Sequence, residues 1–302
     1  MKLYTIFFIS CLLLFGCSIT VDEPQAPTEK QLVGQEVTPS LLVDEETASV
    51  EEESSSIVQI LETIFQLEWA SKKSVDAKEV SYLALGDSLT RGIGDEKNKY
   101  GYTNRLVEQL EKWPNVKEIN LDNRGKRGRR SDQLLALLEK GHYDEALANA
   151  DLITITIGGN DVMKVVKSDL FDLKKEMFDK ELISFQARYL KIFEAIRFRN
   201  PNVPIVAIGF YNPFSIIVDE VTPFKPIIHE WNMEIQKLAE ADGNACFIPI
   251  EDLFDSNADM VYHTDFFHPN SNGYERMTER IVETMKTCKI EEMSAGLIGF
   301  EE

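Results

Sequence analysis

A serine, an aspartate and a histidine in this chain have the residue types of a nucleophilic hydrolase. They lie in the segments Gly86-Asp87-Ser88-Leu89-Thr90 and Asp265-Phe266-Phe267-His268-Pro269. A serine hydroxyl is a weak nucleophile and needs an adjacent base to take its proton. Asp265 precedes His268 by three positions, so one turn of a loop would bring the carboxylate against the imidazole and fix its tautomer. Together the two segments have the residue types for the nucleophile, the base and the orienting acid of a hydrolase.

The elements that must position these residues are visible as apolar runs. Five runs are predicted to be strands, at residues 80–85, 116–121, 152–157, 203–208 and 245–250. Most alternate only slightly, which is typical of strands buried on both faces of a parallel sheet. Helical patterns lie between and after them, at residues 102–113, 131–138, 182–199, 226–241 and 271–285. The alternation predicts an α/β fold, a three-layer α/β/α sandwich with a five-stranded parallel sheet.

Reactive side chains in such a sheet are expected just beyond the carboxyl ends of its strands. Ser88 follows the first predicted strand, and Asp265 follows the fifth by a loop. Asn160 follows the third strand after two glycines, where its amide N–H could point at a developing oxyanion. The second strand runs into a segment ending at Gly128, where a backbone N–H could approach the same oxygen.

These four segments resemble the sequence blocks of the SGNH or GDSL hydrolases, which centre on a Ser, a Gly, an Asn and a His in this order. The matching segments are Gly86-Asp87-Ser88-Leu89, Gly125-x-x-Gly128, Gly158-x-Asn160-Asp161 and Asp265-x-x-His268-Pro269. The resemblance spans roughly residues 80–287 and implies the flavodoxin-like fold of that family. It also implies a catalytic triad with Ser88 as nucleophile, His268 as base and Asp265 as orienting acid. The implied oxyanion hole consists of the Ser88 N–H, the Gly128 N–H and the Asn160 side chain.

The resemblance implies a serine esterase or lipase-like acylhydrolase that cleaves carboxylic esters through an acyl-enzyme. Its substrate would be an ester-containing small molecule, lipid or glycan. A cell-wall carbohydrate deacetylase would use the same machinery and differ only in pocket shape, which the sequence does not reveal. A surface lipoprotein that binds a ligand without turnover is a third hypothesis. It has no need of Ser88 together with Asp265 and His268.

Two local alternatives remain open at the predicted site. His263 lies two residues from Asp265 and is a second candidate base, although the block pattern favours His268. A basic cluster occupies the loop after the second strand, where the family usually has small polar residues after the glycine: Arg124, Lys126, Arg127, Arg129 and Arg130. It is either a cationic rim that attracts anionic substrate or a solvated loop that pairs with Asp122 and Asp132.

An acyl pocket could be lined by three segments that follow the third and fourth strands, at residues 162–163, 170–178 and 210–217.

The composition limits the partners. The formal net charge of -19 argues against nucleic-acid binding, which depends on clustered Lys and Arg. No set of His, Cys and carboxylates has metal-ligand spacing, so no metal or other cofactor is predicted. Oligomeric state has no signature in the sequence. Cys246 and Cys288, the cysteines of the predicted folded part, are either paired in a disulfide or buried as free thiols.

The N-terminus predicts export. Lys2 precedes an apolar run at residues 6–15, which is long enough for a signal peptide and too short to span a bilayer comfortably. The run ends Leu14-Phe15-Gly16-Cys17 and resembles a bacterial lipobox, with a plain secretory signal as the alternative. Residues 1–16 are therefore predicted to be a lipoprotein signal peptide, with Cys17 lipidated. The resulting protein would be extracytoplasmic and anchored to the cell membrane by lipid.

The segment after Cys17 has the composition of a tether. Residues 22–56 carry ten acidic residues against the single Lys30, together with several prolines and few aromatics. Such a segment cannot bury enough apolar surface to offset its ordering entropy. Residues 17–56 are thus predicted to be an acidic disordered tether. Residues 57–302 are predicted to be the hydrolase domain, which starts with an amphipathic helix at 57–67.

Overall fold

The structure is a computed structural model that describes residues 76–215, 224–256 and 260–300. The predicted signal peptide, Cys17, the predicted tether and the helix predicted at 57–67 lie outside these residues. Within the described part of the chain, none of the helices has both the length and the apolar character to cross a membrane.

Five strands form one all-parallel sheet in the order β2-β1-β3-β4-β5. They are β1 Lys78–Gly86, β2 Val116–Gly125, β3 Leu152–Thr156, β4 Ile205–Ile208 and β5 Ala245–Ile248. This confirms the predicted parallel sheet. Strand β2 continues four residues beyond its predicted end, because it stays paired with β1 as far as Gly86 and Gly125. Strand β4 begins only after Pro204, which has no N–H to contribute to a ladder.

Nine α-helices and one 3₁₀ turn are found in the described residues. The helices are α1 Ser88–Arg91, α2 Tyr102–Leu110, α3 Ser131–Glu139, α4 Asp144–Ala148, α5 Gly159–Ser168, α6 Lys175–Arg199, α7 Phe224–Asp242, α8 Ser271–Thr287 and α9 Ile290–Met293. The 3₁₀ turn is Glu251–Phe254. The five helices predicted within the described residues are all present. Helix α6 begins seven residues earlier than expected, which places Phe178 in the core.

Two hydrophobic cores lie on the two faces of the sheet. In β1, Leu83 and Leu85 belong to one core, whereas Tyr82 and Ala84 belong to the other, because successive side chains of a strand point to opposite faces. The first core is covered by helices α3 to α7 and the second by α2 and α8. The predicted three-layer α/β/α sandwich is therefore confirmed.

A disulfide joins Cys246 in β5 to Cys288, which follows α8, across 42 positions of sequence. The Cα atoms are 6.0 Å apart, a normal separation for a disulfide. Of the two alternatives that the sequence left open, the structure has the pair.

The strand order places a crevice at the carboxyl ends of β1 and β3. The chain leaves β1 towards one side of the sheet and leaves β3 towards the other. Ligand sites of open α/β sheets occur at such switch points. Ser88 follows β1 and Asn160 follows β3, so both lie at this crevice.

Candidate active site

Ser88 is the first residue of α1 and is almost fully buried. Asp87 caps the helix by accepting a hydrogen bond from the Leu89 N–H at 3.0 Å. The preceding Gly86 lies so close to β3 that a Cβ there would come within 2.6 Å of the Thr156 carbonyl oxygen. The glycine thus lets the chain turn sharply from strand to helix, with Ser88 at the carboxyl edge of the sheet.

A buried hydrogen-bond network holds α1 in place. Thr90 Oγ1 lies 2.7 Å from Thr156 Oγ1 and 2.9 Å from the Tyr102 hydroxyl, while Thr156 donates to Asp87 Oδ1 at 3.0 Å. Burial raises the pKa of Asp87 to about 6, although the hydrogen bonds from Leu89 and Thr156 oppose the rise. Asp87 and Thr90, which lie on either side of Ser88 and Leu89, are therefore both tied to Thr156 of β3.

Asp265 and His268 form a direct hydrogen bond within one loop. Asp265 Oδ2 lies 2.6 Å from His268 Nδ1. The other carboxylate oxygen accepts the backbone N–H groups of Phe267 and His268 at 3.0 and 2.9 Å. Tyr211 also stabilises the loop, because its hydroxyl donates a hydrogen bond to the Phe267 carbonyl at 2.6 Å. The three-residue spacing thus produces the carboxylate–imidazole contact that it predicted.

The protonation states of this pair follow from burial and hydrogen bonding. Burial lowers the pKa of His268 below its ordinary value of 6.5, and the Asp265 carboxylate offsets this only in part. Burial alone would raise the pKa of Asp265, but the hydrogen bonds from His268 and Phe267 outweigh it and lower the pKa to about 2. At neutral pH Asp265 is therefore ionised and His268 is neutral. With its Nδ1–H directed at Asp265, the ring has Nε2 free to accept a proton.

His263, the other candidate base, makes weaker contacts. Its Nδ1 lies 3.7 Å from Asp265 Oδ1 and 3.4 Å from Thr264 Oγ1, and its side chain is about one-third exposed. His268 is buried and lines the cavity beside Ser88, whereas His263 does not line it. The geometry therefore favours His268.

A narrow cavity brings Ser88, Asn160 and His268 together. It has a volume of about 40 Å³, is partly open to solvent, and is lined mainly by apolar side chains, namely Leu89, Val162, Met163, Phe210, Tyr211, Pro213, Ile228 and Phe267. In the described part of the chain, Ser88 Oγ makes no hydrogen bond with His268. Such catalytic contacts tighten in the Michaelis complex, so the geometry is compatible with a nucleophile and its base.

Asn160 is positioned by the first turn of α5. Its Nδ2 donates to the Arg129 carbonyl at 3.1 Å and lies 3.4 Å from Asp87 Oδ2. The next residue, Asp161, is buried and accepts hydrogen bonds from the Ser131 N–H and hydroxyl. A side chain at Gly158 would meet Phe210 at 2.7 Å, so the helix can begin this close to the cavity only after a glycine.

Gly128, the other predicted oxyanion donor, lies on an exposed turn closed by the Arg129 N–H to Lys126 carbonyl hydrogen bond at 3.1 Å. It has a φ of +76°, which suits glycine, but it does not line the cavity. Asn160 contacts Arg129, the residue after Gly128, and not Gly128 itself. The role of the Gly128 N–H therefore remains a prediction.

The five residues of the basic cluster lie in three different environments. Arg124 pairs with Asp122 at 2.6 Å and Arg130 pairs with Asp132 at 2.9 Å, as the solvated-loop interpretation expects. Arg129 is buried, and its guanidinium donates to backbone carbonyls. Lys126 and Arg127 are exposed.

Only some residues of the segments predicted to line an acyl pocket lie at the cavity. Val162, Met163, Phe210, Tyr211 and Pro213 line the cavity, whereas Phe178 is in the core and Phe171 is exposed. Sequence reasoning missed Ile228, Leu89 and Phe267 as lining residues. Ile228 shares the helical spacing of core residues, and this spacing does not distinguish a residue that lines the cavity from one that is only in the core. For Phe267, its place inside the Asp265–His268 block was an available signal.

Comparison with known proteins gives the same assignment. The model of the GDSL-like lipase/acylhydrolase family matches residues 84–276. The chain belongs to this family. The family resemblance is therefore confirmed, and the protein is a hydrolase acting on ester bonds. The matched residues include all four sequence blocks, from the serine to the histidine.

Individual relatives support the family assignment. The chain is 32% identical over 205 residues to YpmR, an uncharacterized protein of Bacillus subtilis, covering 67% of this chain and 80% of YpmR. It is 27% identical over 210 residues to the spore germination lipase LipC of Bacillus licheniformis, covering 67% and 94% of the two chains. The crystal structure of the lipase Lip_vut3 from a goat rumen metagenome superposes with a TM-score of 0.57 at 25% identity, covering 68% and 97%.

Proposed function

We propose that this GDSL-like hydrolase is an extracytoplasmic serine esterase that cleaves short-chain carboxylic esters through an acyl-enzyme. The observation that carries the proposal is the Asp265–His268 hydrogen bond beside a cavity that also contains Ser88 and Asn160. A nucleophile, a neutral imidazole and an amide donor at one apolar cavity are the components of acyl transfer.

The reaction proceeds in two halves. Ser88 Oγ attacks the ester carbonyl carbon while His268 Nε2 takes the hydroxyl proton, and the negative charge collects on the carbonyl oxygen. His268 then returns the proton to the leaving alcohol as the acyl-enzyme forms. Water attacks this ester, His268 takes the water proton, and the acid leaves as Ser88 Oγ regains its proton. Asp265 holds the ring orientation and stabilises the imidazolium in both halves.

The oxyanion is expected to lie near Asn160. Its Nδ2 is directed by the Arg129 carbonyl, which supports an amide that points towards the crevice. The Ser88 and Gly128 N–H groups are the proposed second and third donors. Loss of one such donor costs about 10²–10³ in kcat in measured cases.

Short acyl groups fit the cavity best. About 10–15 Å³ of such space is needed to hold one water. The cavity volume of about 40 Å³ therefore suits an acetyl or butyryl group better than a long chain. The same observation favours a second candidate, a carbohydrate deacetylase that removes acetyl groups from glycans. The two functions share Ser88, His268 and Asp265 and differ in the alcohol that leaves.

Substrate profiling with a matched serine control tests the proposal. The wild type is assayed with p-nitrophenyl acetate, butyrate and octanoate, beside Ser88→Ala and Ser184→Ala. Ser184 lies on the exposed face of α6 and is expected to be dispensable. Ser88→Ala should lower kcat by at least about 10³-fold and abolish fluorophosphonate labelling, while Ser184→Ala should retain both. Activity that survives Ser88→Ala, or its absence in the wild type, would refute the esterase. Acetate released from acetylated glycan, with little turnover of free esters, would favour the deacetylase.

Export and lipid anchoring belong to the same proposal. The lipobox-like segment ending at Cys17 supports them, and a disulfide such as Cys246–Cys288 is typical of oxidising compartments. Expression of the full chain in a Gram-positive host with an alkyne-tagged fatty acid tests the anchor. We expect the label on the wild type and its loss from Cys17→Ala. Equal labelling of both proteins would refute lipidation at Cys17.

A further inference from the structure

Arg129 is a buried cation whose backbone carbonyl accepts a hydrogen bond from Asn160, a residue that lines the cavity. Arg129 is only 7% exposed. Among the residues that the structure describes, no carboxylate pairs with its guanidinium. Instead Nη1 donates to the Gly86 carbonyl at 3.2 Å and to the Arg124 carbonyl, and Nη2 lies 3.4 Å from the Tyr143 hydroxyl. Burying a guanidinium without a paired carboxylate costs desolvation free energy. This cost suggests that the contacts of Arg129 with the two carbonyls have a role in the site.

The two carbonyls belong to the ends of neighbouring strands. Gly86 ends β1 and Arg124 is the penultimate residue of β2. The last backbone hydrogen bond between the two strand ends runs from the Lys126 N–H to the Gly86 carbonyl at 3.1 Å, and the chain then diverges into the α1 turn and the Gly128 turn. One guanidinium therefore spans the point at which the backbone ladder stops. Both carbonyls accept from the same nitrogen, Nη1, whose two N–H bonds point in fixed directions within the guanidinium plane, whereas the donors of a lysine ammonium rotate freely.

Each of the three proposed oxyanion donors lies next to Arg129 or close to a residue that Arg129 contacts. The Ser88 N–H follows Gly86 by two residues, and Gly86 is held by the guanidinium. Gly128 is the residue directly before Arg129. The Asn160 amide donates to the Arg129 carbonyl at 3.1 Å. A single residue thus connects the loops after β1, β2 and β3.

We propose that Arg129 is the positioning residue of the oxyanion hole, which sets the relative placement of the Ser88, Gly128 and Asn160 donors. The inference rests on the esterase proposed above. Donors stabilise an oxyanion only when they are already aimed at its position, and a displacement of about 1 Å can cost 10²-fold in rate. Loss of the guanidinium should therefore slow the chemical step and leave ester binding in the apolar cavity largely unchanged.

A matched pair of arginines separates positioning from stability. Arg197 also donates to two backbone carbonyls, those of Val203 and Asn244, which precede β4 and β5 at the opposite edge of the sheet. Unlike Arg129, it also forms an ion pair, with Asp242. Arg129→Met, Arg129→Lys and Arg197→Met are compared on p-nitrophenyl acetate, with thermal unfolding recorded for each. We expect Arg129→Met to lower kcat about 10–100-fold with KM changed less than about threefold. Arg129→Lys should recover part of the loss. Arg197→Met should lower the Tm and keep kcat.

A second readout reports on the oxyanion hole itself. Butylboronic acid forms a tetrahedral adduct with a serine nucleophile, whereas butanol is a neutral occupant of the same apolar cavity. For Arg129→Lys, which retains charge and length, we expect the Kd of the boronic acid to rise at least fivefold and the Ki of butanol to stay constant. If Arg129→Met does not fold, this variant and measurement decide the question alone.

The outcomes separate the two proposals. Wild-type kcat in both Arg129 variants, equal weakening of boronic acid and butanol, or a matching kcat loss in Arg197→Met would each overturn the positioning role and leave the esterase intact. Absence of Ser88-dependent hydrolysis in the wild type would overturn the esterase, and the Arg129 inference with it.

Discussion

The Asp265 carboxylate lies 2.6 Å from His268 Nδ1 and also accepts two backbone N–H groups of its own loop. The loop therefore holds the carboxylate in place before any substrate arrives. Rotation of the side chain would break three hydrogen bonds at once. This explains how an acid only partly shielded from solvent can still orient the imidazole reliably.

Asp265→Asn tests the pair through the pH profile. We expect kcat/KM to fall about 10³–10⁴-fold, because the amide no longer selects the productive tautomer. In the wild type, activity is lost as pH falls through the pKa of His268, which burial places below 6.5. Since Asp265 raises that pKa, its removal should move the acid limb to lower pH.

The measurement is kcat/KM between pH 4.5 and 8, with His263→Gln as the control. His263→Gln should keep the wild-type profile. An acid limb that shifts upward in Asp265→Asn, or that disappears in His263→Gln, would contradict the assignment of His268 as base.

Gly94→Ala tests how closely the Ser88 and His268 loops approach. A Cβ at Gly94 would come within 2.5 Å of the Pro269 carbonyl oxygen and 3.0 Å of His268 Cβ, at a φ of +95°. Gly243 has a similar φ of +78° with no atom within 4 Å of a built Cβ. Both alanines should cost about 1–2 kcal/mol of backbone strain. Only Gly94→Ala should also displace His268, with kcat lower by at least about tenfold. Equal kcat values for the two variants would rule out this close-approach role.

Ile228→Ala tests the acyl pocket. Ile228 lines the cavity from α7, whereas its neighbour Ile227 is in the same core without lining the cavity. Each alanine should cost about 2–4 kcal/mol in the free energy of unfolding. In Ile228→Ala alone, the ratio of kcat/KM for octanoate to that for acetate should rise about tenfold, because the pocket lengthens. A ratio that rises as much in Ile227→Ala would indicate general loosening instead.

Loss of the Cys246–Cys288 disulfide should reduce stability and preserve catalysis. Closing a loop across 42 positions stabilises the fold by at most about 4 kcal/mol in the chain-entropy model. Cys288 follows the end of α8, whereas His268 lies just before its start, so kcat should stay within twofold. Urea unfolding with and without dithiothreitol measures the effect in the wild type. The double variant Cys246→Ala/Cys288→Ala should be insensitive to the reductant, and a disulfide with no effect on unfolding would contradict the prediction.

The order and type of the elements, and the chemistry at the strand ends, could be predicted from the pattern of residues alone. Apolar runs of strand length indicated a doubly covered parallel sheet, because strands buried on both faces cannot alternate with polar residues. Once the sheet was parallel, Ser88 and Asn160 had to share its carboxyl edge. The Asp265–His268 contact was equally predictable, since three residues of spacing can be closed by a single turn.

The environment of each of two similar side chains could not be predicted in this way, because it depends on how distant segments pack. Ile227 and Ile228 belong to the same core and have nearly the same burial, yet only Ile228 also lines the cavity. Arg129 and Arg130 are adjacent arginines, yet one is buried on strand-end carbonyls and the other pairs with Asp132. Such differences depend on contacts between segments far apart in sequence. Local periodicity records that a position is apolar or charged, but the packing of distant elements selects its partners.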